Sequence, residues 1–300
     1  MKAAHLVILL ALNCGWATLP ALVNRFESEL TPLEFVSLRY GFALAGLVLV
    51  WRWLPGQLPR GRDFWRTAIM GITVFTVGHQ LQILGMQRSA ASDAAVLLVL
   101  DPLISSLGAA LFLHERIPGQ RWAGFALAIG GVILLSLWNN SAPLPGLFAN
   151  LMIVLSFVSE AVWSVMGKPL VSRWGIPKVT ALALAAGTLG NGLLLLPDAS
   201  THASRFAAVS WEAWIWLAIL GIVLTAVGYS VWHVVIREVP VSVAAMTIYL
   251  QPIVGTALAV VWAGEQPHAG HAWGSLAIIA GIILGVQRSK KMPAAAPSSP

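Results

Sequence analysis

Charge is scarce in this chain. Lys, Arg, Asp and Glu supply 10% of its 300 residues, less than half the share of about 25% usual in soluble domains. Hydrophobic residues reach 58% and mean hydropathy is +0.79, which excludes an ordinary soluble domain and points to a chain that crosses a bilayer many times. Cysteine is absent but for Cys14, so no internal disulfide forms and the redox compartment stays open. Missing too are a Gly-rich Walker pattern, His-Glu-x-x-His, Gly-x-Ser-x-Gly and a cysteine set. Nucleotide, zinc and serine-nucleophile chemistry therefore lack their local signatures, and the sequence calls for no enzyme, no cofactor and no resident metal.

Basic residues outnumber acidic ones, 18 to 12, giving a formal charge of +6 and a pI near 10.0. They are scattered among apolar runs rather than gathered on one face, which argues against a nucleic-acid partner. Fourteen tryptophans are present. Trp51, Trp53, Trp65, Trp122, Trp138 and Trp211 fall beside expected span ends, as interfacial anchors do. The start, with Lys2 before an apolar run, is like a secretory signal. Asn13, however, stands before Cys14 where a lipobox needs a small residue, and no Ala-x-Ala-like site follows, so this segment reads as a retained first helix.

Runs long enough to cross a hydrocarbon core, about 20 residues each, fall near 3–24, 33–53, 66–86, 91–113 and 121–138, then near 147–168, 178–197, 212–236, 242–263 and 272–288. The expected fold is all-α, with ten transmembrane helices. Pro and Gly mark the connections at 54–56, 117–119, 142–146, 175–177 and 238–240. Alternate segments separate charge sharply. One set holds Lys2, Arg52, Arg60, Arg62, Arg66, Arg116, Arg121, Lys168, Arg173, Lys178, Arg237, Arg288, Lys290 and Lys291, and the other holds Arg25, Arg88 and Arg205. By the positive-inside rule both termini are cytoplasmic. The tail 289–300 lacks apolar periodicity and is expected to be disordered.

The chain repeats itself. A shift of 150 positions lays residues 88–134 on 238–284, matching Ser92 with Ser242, Leu100 with Leu250, Pro102 with Pro252, Glu115 with Glu265, Gly124 with Gly274 and Gly131 with Gly281. Weaker echoes join Trp16 to Trp163 and Pro32 to Pro177. This divides the chain into residues 1–140, residues 141–288 and the tail. Each half has an odd number of spans, so the second enters the membrane from the opposite side. Such inverted halves can exchange two equivalent conformations around a shared midplane site.

The segment from Arg88 through Asp101-Pro102 to Glu115, Gly124 and Gly130-Gly131 resembles the EamA repeat of the drug/metabolite transporter superfamily. So do Val241 through Gln251-Pro252 to Gly264, the Trp16 region and the stretch Leu38 to Gly41. The resemblance implies a ten-helix exporter or facilitator of small organic solutes in a bacterial cytoplasmic membrane, with the fifth and tenth helices peripheral to a central cavity. Amino-acid exporters of the YddG type are the branch it suggests. Asp101 stands where Glu is commoner in that family, and its counterpart is Gln251.

Polar side chains in a bilayer need a pocket, a partner or a watered path. Asn13 with Trp16, His79 with Gln82, Glu160 with Trp163, and Tyr229 with Trp232 and His233 each share a helix face by spacing. Together they predict a wet cavity with aromatic walls. Asp101 is the leading candidate to line it, with pairing to Arg39 as the structural alternative. Glu160 and His79 join Asp101 as proton-coupling candidates, and Gln251 as its neutral mate. Trp16, Trp163, Tyr229 and Tyr249 are expected to stack on a substrate or hold its ammonium. Pro102 and Pro252 read as hinges that release a backbone carbonyl, and Arg39 as a structural residue. Glu115 and Glu265 read as caps or local pairs. Gly281-x-x-x-Gly285 marks tight helix packing, within the chain or between the protomers of a homodimer. The function expected is export or facilitated passage of amino acids or related amines by alternating access, with proton-coupled drug or cation efflux as the alternative; a receptor or scaffold would need no inverted repeat.

Overall fold

A computed structural model of the chain describes residues 3–88, 98, 100–137, 147–263 and 269–286. Outside them lie residues 89–97 of the repeat match, Trp138, Glu265, the basic residues Lys2, Arg288, Lys290 and Lys291, and the tail 289–300. Among the described residues six helices are long and apolar enough to cross a membrane, and with the shorter apolar helices they fit a ten-helix, two-repeat architecture. In the first half, α1 consists of Ala3–Trp16 and Leu19–Arg25 joined by a turn, and is followed by α2 (Pro32–Leu49), α3 (Arg62–Gln87), α4 (Leu100–Phe112) and α5 (Gly119–Leu137). In the second half are α6 (Leu147–Trp174), α7 (Ile176–Leu195), α8 (Trp211–Glu238), α9 (residues 241–263) and α10 (Ala269–Val286). Exposed Val48, Ile69, Leu111, Phe112 and Leu193 face outward, where hydrocarbon replaces water.

Local chemistry fixes the ends. Thr31 caps α2 reciprocally with Glu34, with Pro32 at the first helical position. Trp53, Trp65 and Trp211 stand exposed at helix ends, as interfacial anchors do. Contacts between loops sort the connections onto two faces. On one, Arg25 forms a bidentate pair with Glu212 at 2.8 and 2.9 Å, Glu29 accepts from Ser210, and buried Glu34 accepts from His202 and Arg205. On the other, Asp63 accepts from Arg173 and Trp174, both at 2.9 Å, and Lys178 donates to Trp51 O at 3.1 Å while lying over the Trp51 ring. Arg25–Glu212 and Arg173–Asp63 occupy matching positions of the two halves to within one residue, on opposite faces. That is the signature of an inverted repeat in three dimensions.

The α5–α10 contact shows the same two-fold relation. Gly124 meets Gly281, and Gly131 meets Gly274, so the two repeat-matched pairs cross over. A Cβ on Gly281 would sit 2.8 Å from both Ala128 N and Gly124 O. Gly281-x-x-x-Gly285 is thus occupied by α5 of the same chain and is not free for a second protomer. These two helices, with Phe125, Met246, Tyr249, Ile278 and Ile282, make a cluster separate from the main core.

Two helices depart from α geometry at corresponding places. Residues Ile72–Gly78 of α3 and Ile219–Val227 of α8 are π-helical. Close crossings surround them. Gly71 lies against the Ala183 backbone of α7, and its mate Gly221 against Arg39 O of α2; Gly78 lies against Ser159 of α6, and Gly228 against Leu12 of α1. The loosened turns send carbonyls sideways. Leu224 O accepts from Trp16 Nε1 at 2.8 Å, Phe75 O from Asn191 Nδ2 at 2.9 Å, and Val74 O pairs with His79 Nδ1 at 2.7 Å.

The prolines stand differently from the sequence expectation. Pro102 and Pro252 are each in the first turn of an α-helix, Leu100–Phe112 and Leu250–Ala263, where a missing N–H costs little. The irregularity in α9 lies ahead of Pro252, as a 3₁₀ turn over Met246–Tyr249.

Glycine substitutions separate close approach from mere flexibility. Gly281→Leu, which meets backbone on two sides, should force α5 and α10 apart and lower stability by about 1–3 kcal/mol. Gly192→Ala, with nothing within 4 Å of its new Cβ, should be neutral or stabilising by up to about 1 kcal/mol. Thermal unfolding in detergent, followed by size-exclusion chromatography, measures both.

Candidate functional site

A cleft of about 730 Å³, counting its open mouth, lies between the halves. Eight of the ten residues expected at the substrate site line it, namely Trp16, His79, Gln82, Asp101, Glu160, Trp163, Tyr229 and Gln251. The other two stand behind the wall. Asn13 is fully buried, donating to Thr247 Oγ1 at 3.0 Å and to Leu9 O at 2.8 Å, and accepting from Gln251 Nε2 at 2.8 Å. Tyr249 is 1% exposed and packs on Phe125 of α5.

Aromatic rings form the floor. Trp163 stacks on His233 at 4.4 Å and meets Phe75 at 5.0 Å and Tyr229 at 5.3 Å, while Trp16 lies 5.6 Å from Tyr229. Trp232 Nε1 donates to Ser164 Oγ at 3.1 Å, tying α8 to α6. Trp232, Ser164 and Ser105 join the wall as well. Spacing signalled each of them, since Trp232 follows Tyr229 by three, Ser105 follows Asp101 by four and Ser164 adjoins Trp163.

Charged groups enter from three helices. Asp101 accepts from Ser105 of its own α4 at 3.2 Å and lies within electrostatic range of Glu160. It does not take Arg39 as its hydrogen-bond partner. Arg39 Nε instead donates to Thr225 Oγ1 of α8 at 2.9 Å, beside the π-helical segment. The guanidinium lines the cleft, and among the described residues its two terminal nitrogens donate no hydrogen bond. Glu160 Oε1 accepts from Tyr229 at 3.0 Å and lies 3.1 Å from His79 Nε2.

The inverted repeat makes these pairs meaningful. Asn13 precedes Trp16 as Glu160 precedes Trp163, and Gln251 precedes Pro252 as Asp101 precedes Pro102. The α1–α9 contact is therefore a pair of amides where the α6–α4 approach is a pair of carboxyls.

At one end of the bundle a polar cluster ties α6 and the residues after α4 to the start of α9. Glu115 accepts from Lys168 Nζ of α6 at 2.8 Å, from Val241 N at 3.1 Å and from Ser242 N at 3.4 Å at the start of α9, and Arg121 donates to Ser242 Oγ. Glu115 does cap a helix, but one 126 residues away, which no local reading reveals. Residues Val241–Ala245 are all buried. The opposite end of the wall reaches Leu19, Met86 and Leu98, near the helix ends on the face of Arg25 and Glu212.

An inverted repeat of odd span count around a polar cleft is an architecture of membrane transporters. The chain belongs to the EamA-like transporter family, whose model matches residues 2–137 and 147–286. It is 29% identical to a probable terminal-alkyne amino-acid exporter of Streptantibioticus cattleyicolor, over 75% of this chain and 74% of that protein. It is 24% identical to an uncharacterized transporter of Archaeoglobus fulgidus over 93% and 96% of the two chains, and 26% identical to the uncharacterized inner membrane transporter YedA of Escherichia coli over 86% and 82%. A solved crystal structure superposes with a TM-score of 0.77 at 19% identity, covering 95% of this chain and 99% of that one, and so shares the fold.

The wall extends to Leu19, Met86 and Leu98, and thiol labelling reads out access from that side. Gln82, whose Oε1 has no partner among the described residues, is a mild position for cysteine. Gln82→Cys on a Cys14→Ser background should react several-fold faster with an impermeant reagent applied at the Arg25 face. Adding Lys168→Met removes the ammonium from Glu115 and leaves it Arg121 in electrostatic range, at a cost of about 1–3 kcal/mol, and should raise labelling from the other face.

Proposed function

We propose that the chain carries amino acids or related amines out of a bacterial cell by alternating access, from the cytoplasmic membrane and with both termini in the cytoplasm. The observation that carries this reading is the amphoteric wall. Asp101 and Glu160 offer negative charge for an ammonium, while the terminal nitrogens of Arg39 offer donors for a carboxylate. The rings of Trp16, Trp163 and Tyr229 provide faces for an apolar side chain or for cation–π contact. His79, Gln82 and Gln251 complete the contacts, and Asn13 and Tyr249 support them from behind. The fourteen-to-three bias of basic residues sets the orientation, and the amino-acid exporter among the relatives agrees with the cargo class. Residues 1–140 and 141–288 act as the two moving halves, with the turns ahead of Pro102 and Pro252 as hinges. A single copy of the chain encloses the whole cleft, so transport needs no homodimer.

Counterflow in proteoliposomes tests the reading. Vesicles preloaded with each of the twenty L-amino acids or with tyramine, agmatine or putrescine should accumulate the matching labelled compound for at least one member. Asp101→Asn should lower that flux about tenfold or more, the scale of losing one charge-assisted contact, with unchanged expression. Flux of no member overturns the cargo class, and unaltered flux in Asp101→Asn removes Asp101 from the site.

A further inference from the structure

Three polar atoms form a near-equilateral triangle on the cleft wall. Tyr229 Oη lies 3.0 Å from Glu160 Oε1 and 3.1 Å from His79 Nε2, and Glu160 Oε1 lies 3.1 Å from His79 Nε2. Hydrogen counting decides what it can hold. His79 Nδ1 is 2.7 Å from Val74 O, a carbonyl of the π-helical turn that also takes the His79 backbone N–H and can only accept. Nδ1 therefore carries a hydrogen, and Nε2 of the neutral ring has a lone pair. Facing it is a carboxylate oxygen, which likewise only accepts. Tyr229 has one hydrogen, which serves Glu160 or His79 but not both. The His79–Glu160 edge is attractive only when the pair holds one further proton, on the imidazole or on the carboxyl.

We propose that His79 and Glu160 share one labile proton, relayed by Tyr229, and that an ammonium group of the cargo displaces it, so that transport exchanges one proton for one amine. The proposal rests on the reading above that amines pass through this cleft. In the step, the proton leaves Nε2 or Oε1 for water in the cleft, and the Glu160 carboxylate pairs with the arriving ammonium. One positive charge departs and one arrives, so no co-reactant is needed.

The surroundings suit such an exchange. From α2, Tyr40 meets the His79 ring edge to face with centroids 5.4 Å apart, and Arg39 lines the cleft. From α4, Asp101 faces Glu160. α8 brings Tyr229 and, one turn on, His233, which stacks on Trp163. α9 brings Tyr249 within range of Asp101, and α1 presents Trp16, which does not titrate. Asp101, Glu160 and Arg39 share the wall, so a proton or an ammonium can serve the Glu160 carboxylate in turn. The other half lacks the means to do this. The position matching Glu160 is Asn13, that matching Asp101 is Gln251, and these two bond as neutral amides at 2.8 Å. The asymmetry confines the proton site to one half.

The purified full chain in detergent tests the site without cargo. Infrared difference spectra across a pH titration should show a carboxylic-acid carbonyl band that Glu160→Gln removes and Asp101→Asn retains. In His79→Gln and in Tyr229→Phe, which removes no charge, the midpoint should move about threefold or more in proton affinity, a change a purely packing role would not cause. In weak buffer with an indicator dye, saturating the parent with any compound that shows counterflow should release about one proton per chain, and Glu160→Gln should release none. Identical titrations of parent and Glu160→Gln, or counterflow without proton release, overturn the proposal. If the Glu160 band titrates as stated while no amino acid or amine undergoes counterflow, the cargo class fails and the proton site stands.

Discussion

Hydrocarbon offers no hydrogen bonds, and the rest of this structure answers to that constraint. A helix meets it by bonding its own backbone, so any carbonyl that leaves the ladder must find a partner from another helix. In the π-helical segments of α3 and α8, Leu224 O takes Trp16 of α1 and Phe75 O takes Asn191 of α7, while Val74 O takes the His79 ring of its own helix beside its π bond. Each partner belongs to the cleft or stands beside it. The site is thus located where the two central helices of the inverted repeat give up regular bonding, and neighbouring helices hold those turns in place through glycine crossings at 71, 78, 221 and 228.

The same constraint explains why the two halves differ at their centre. A polar pair in the midplane must be satisfied in every state it visits. Asn13 and Gln251 satisfy each other and Thr247 as neutral amides, so the α1–α9 contact stays intact whether or not cargo is present. Asp101 and Glu160 cannot satisfy each other as two carboxylates. They need Ser105, Tyr229 and His79, and they remain open to a cation. The two halves thus place different chemistry at corresponding positions, a neutral amide pair on one side of the cleft and two carboxyls on the other.

The spans and the repeat were legible in the sequence because apolar run length and matched Pro, Glu and Gly survive without knowledge of packing. Eight wall residues were legible for a similar reason, as residues three apart share a face of their own helix. What crosses between helices was not. Nothing in the run 72–78 marks it as π-helical, since Thr76 bonds Gly187 O at 2.8 Å only once α3 and α7 are packed. Arg39 read as a partner for Asp101 because both are charged and embedded, yet Thr225 lies nearer its Nε. Buried Glu34 was passed over as the capping residue of α2, although it also receives His202 and Arg205 from the short helix Ala199–Ala208.

Exchange between two conformations requires that contacts at one face break while their mates at the other form. Arg25–Glu212 and Arg173–Asp63 are such mates, and both are made here. They join α1 to α8 and α6 to α3, which keeps each pair of helices together whichever face is open, so neither pair selects a face. The Glu115 cluster is different in kind. It draws α4, α6 and α9 together below the cleft through the Lys168 ammonium and the backbone of Val241 and Ser242. In the register that matches Trp163 with Trp16, the residue at the position of Lys168 is Ala21, which has no charge to offer. The cation that Glu115 meets on α6 therefore has no mate on α1, while Glu265, the mate of Glu115 itself, lies outside the described residues.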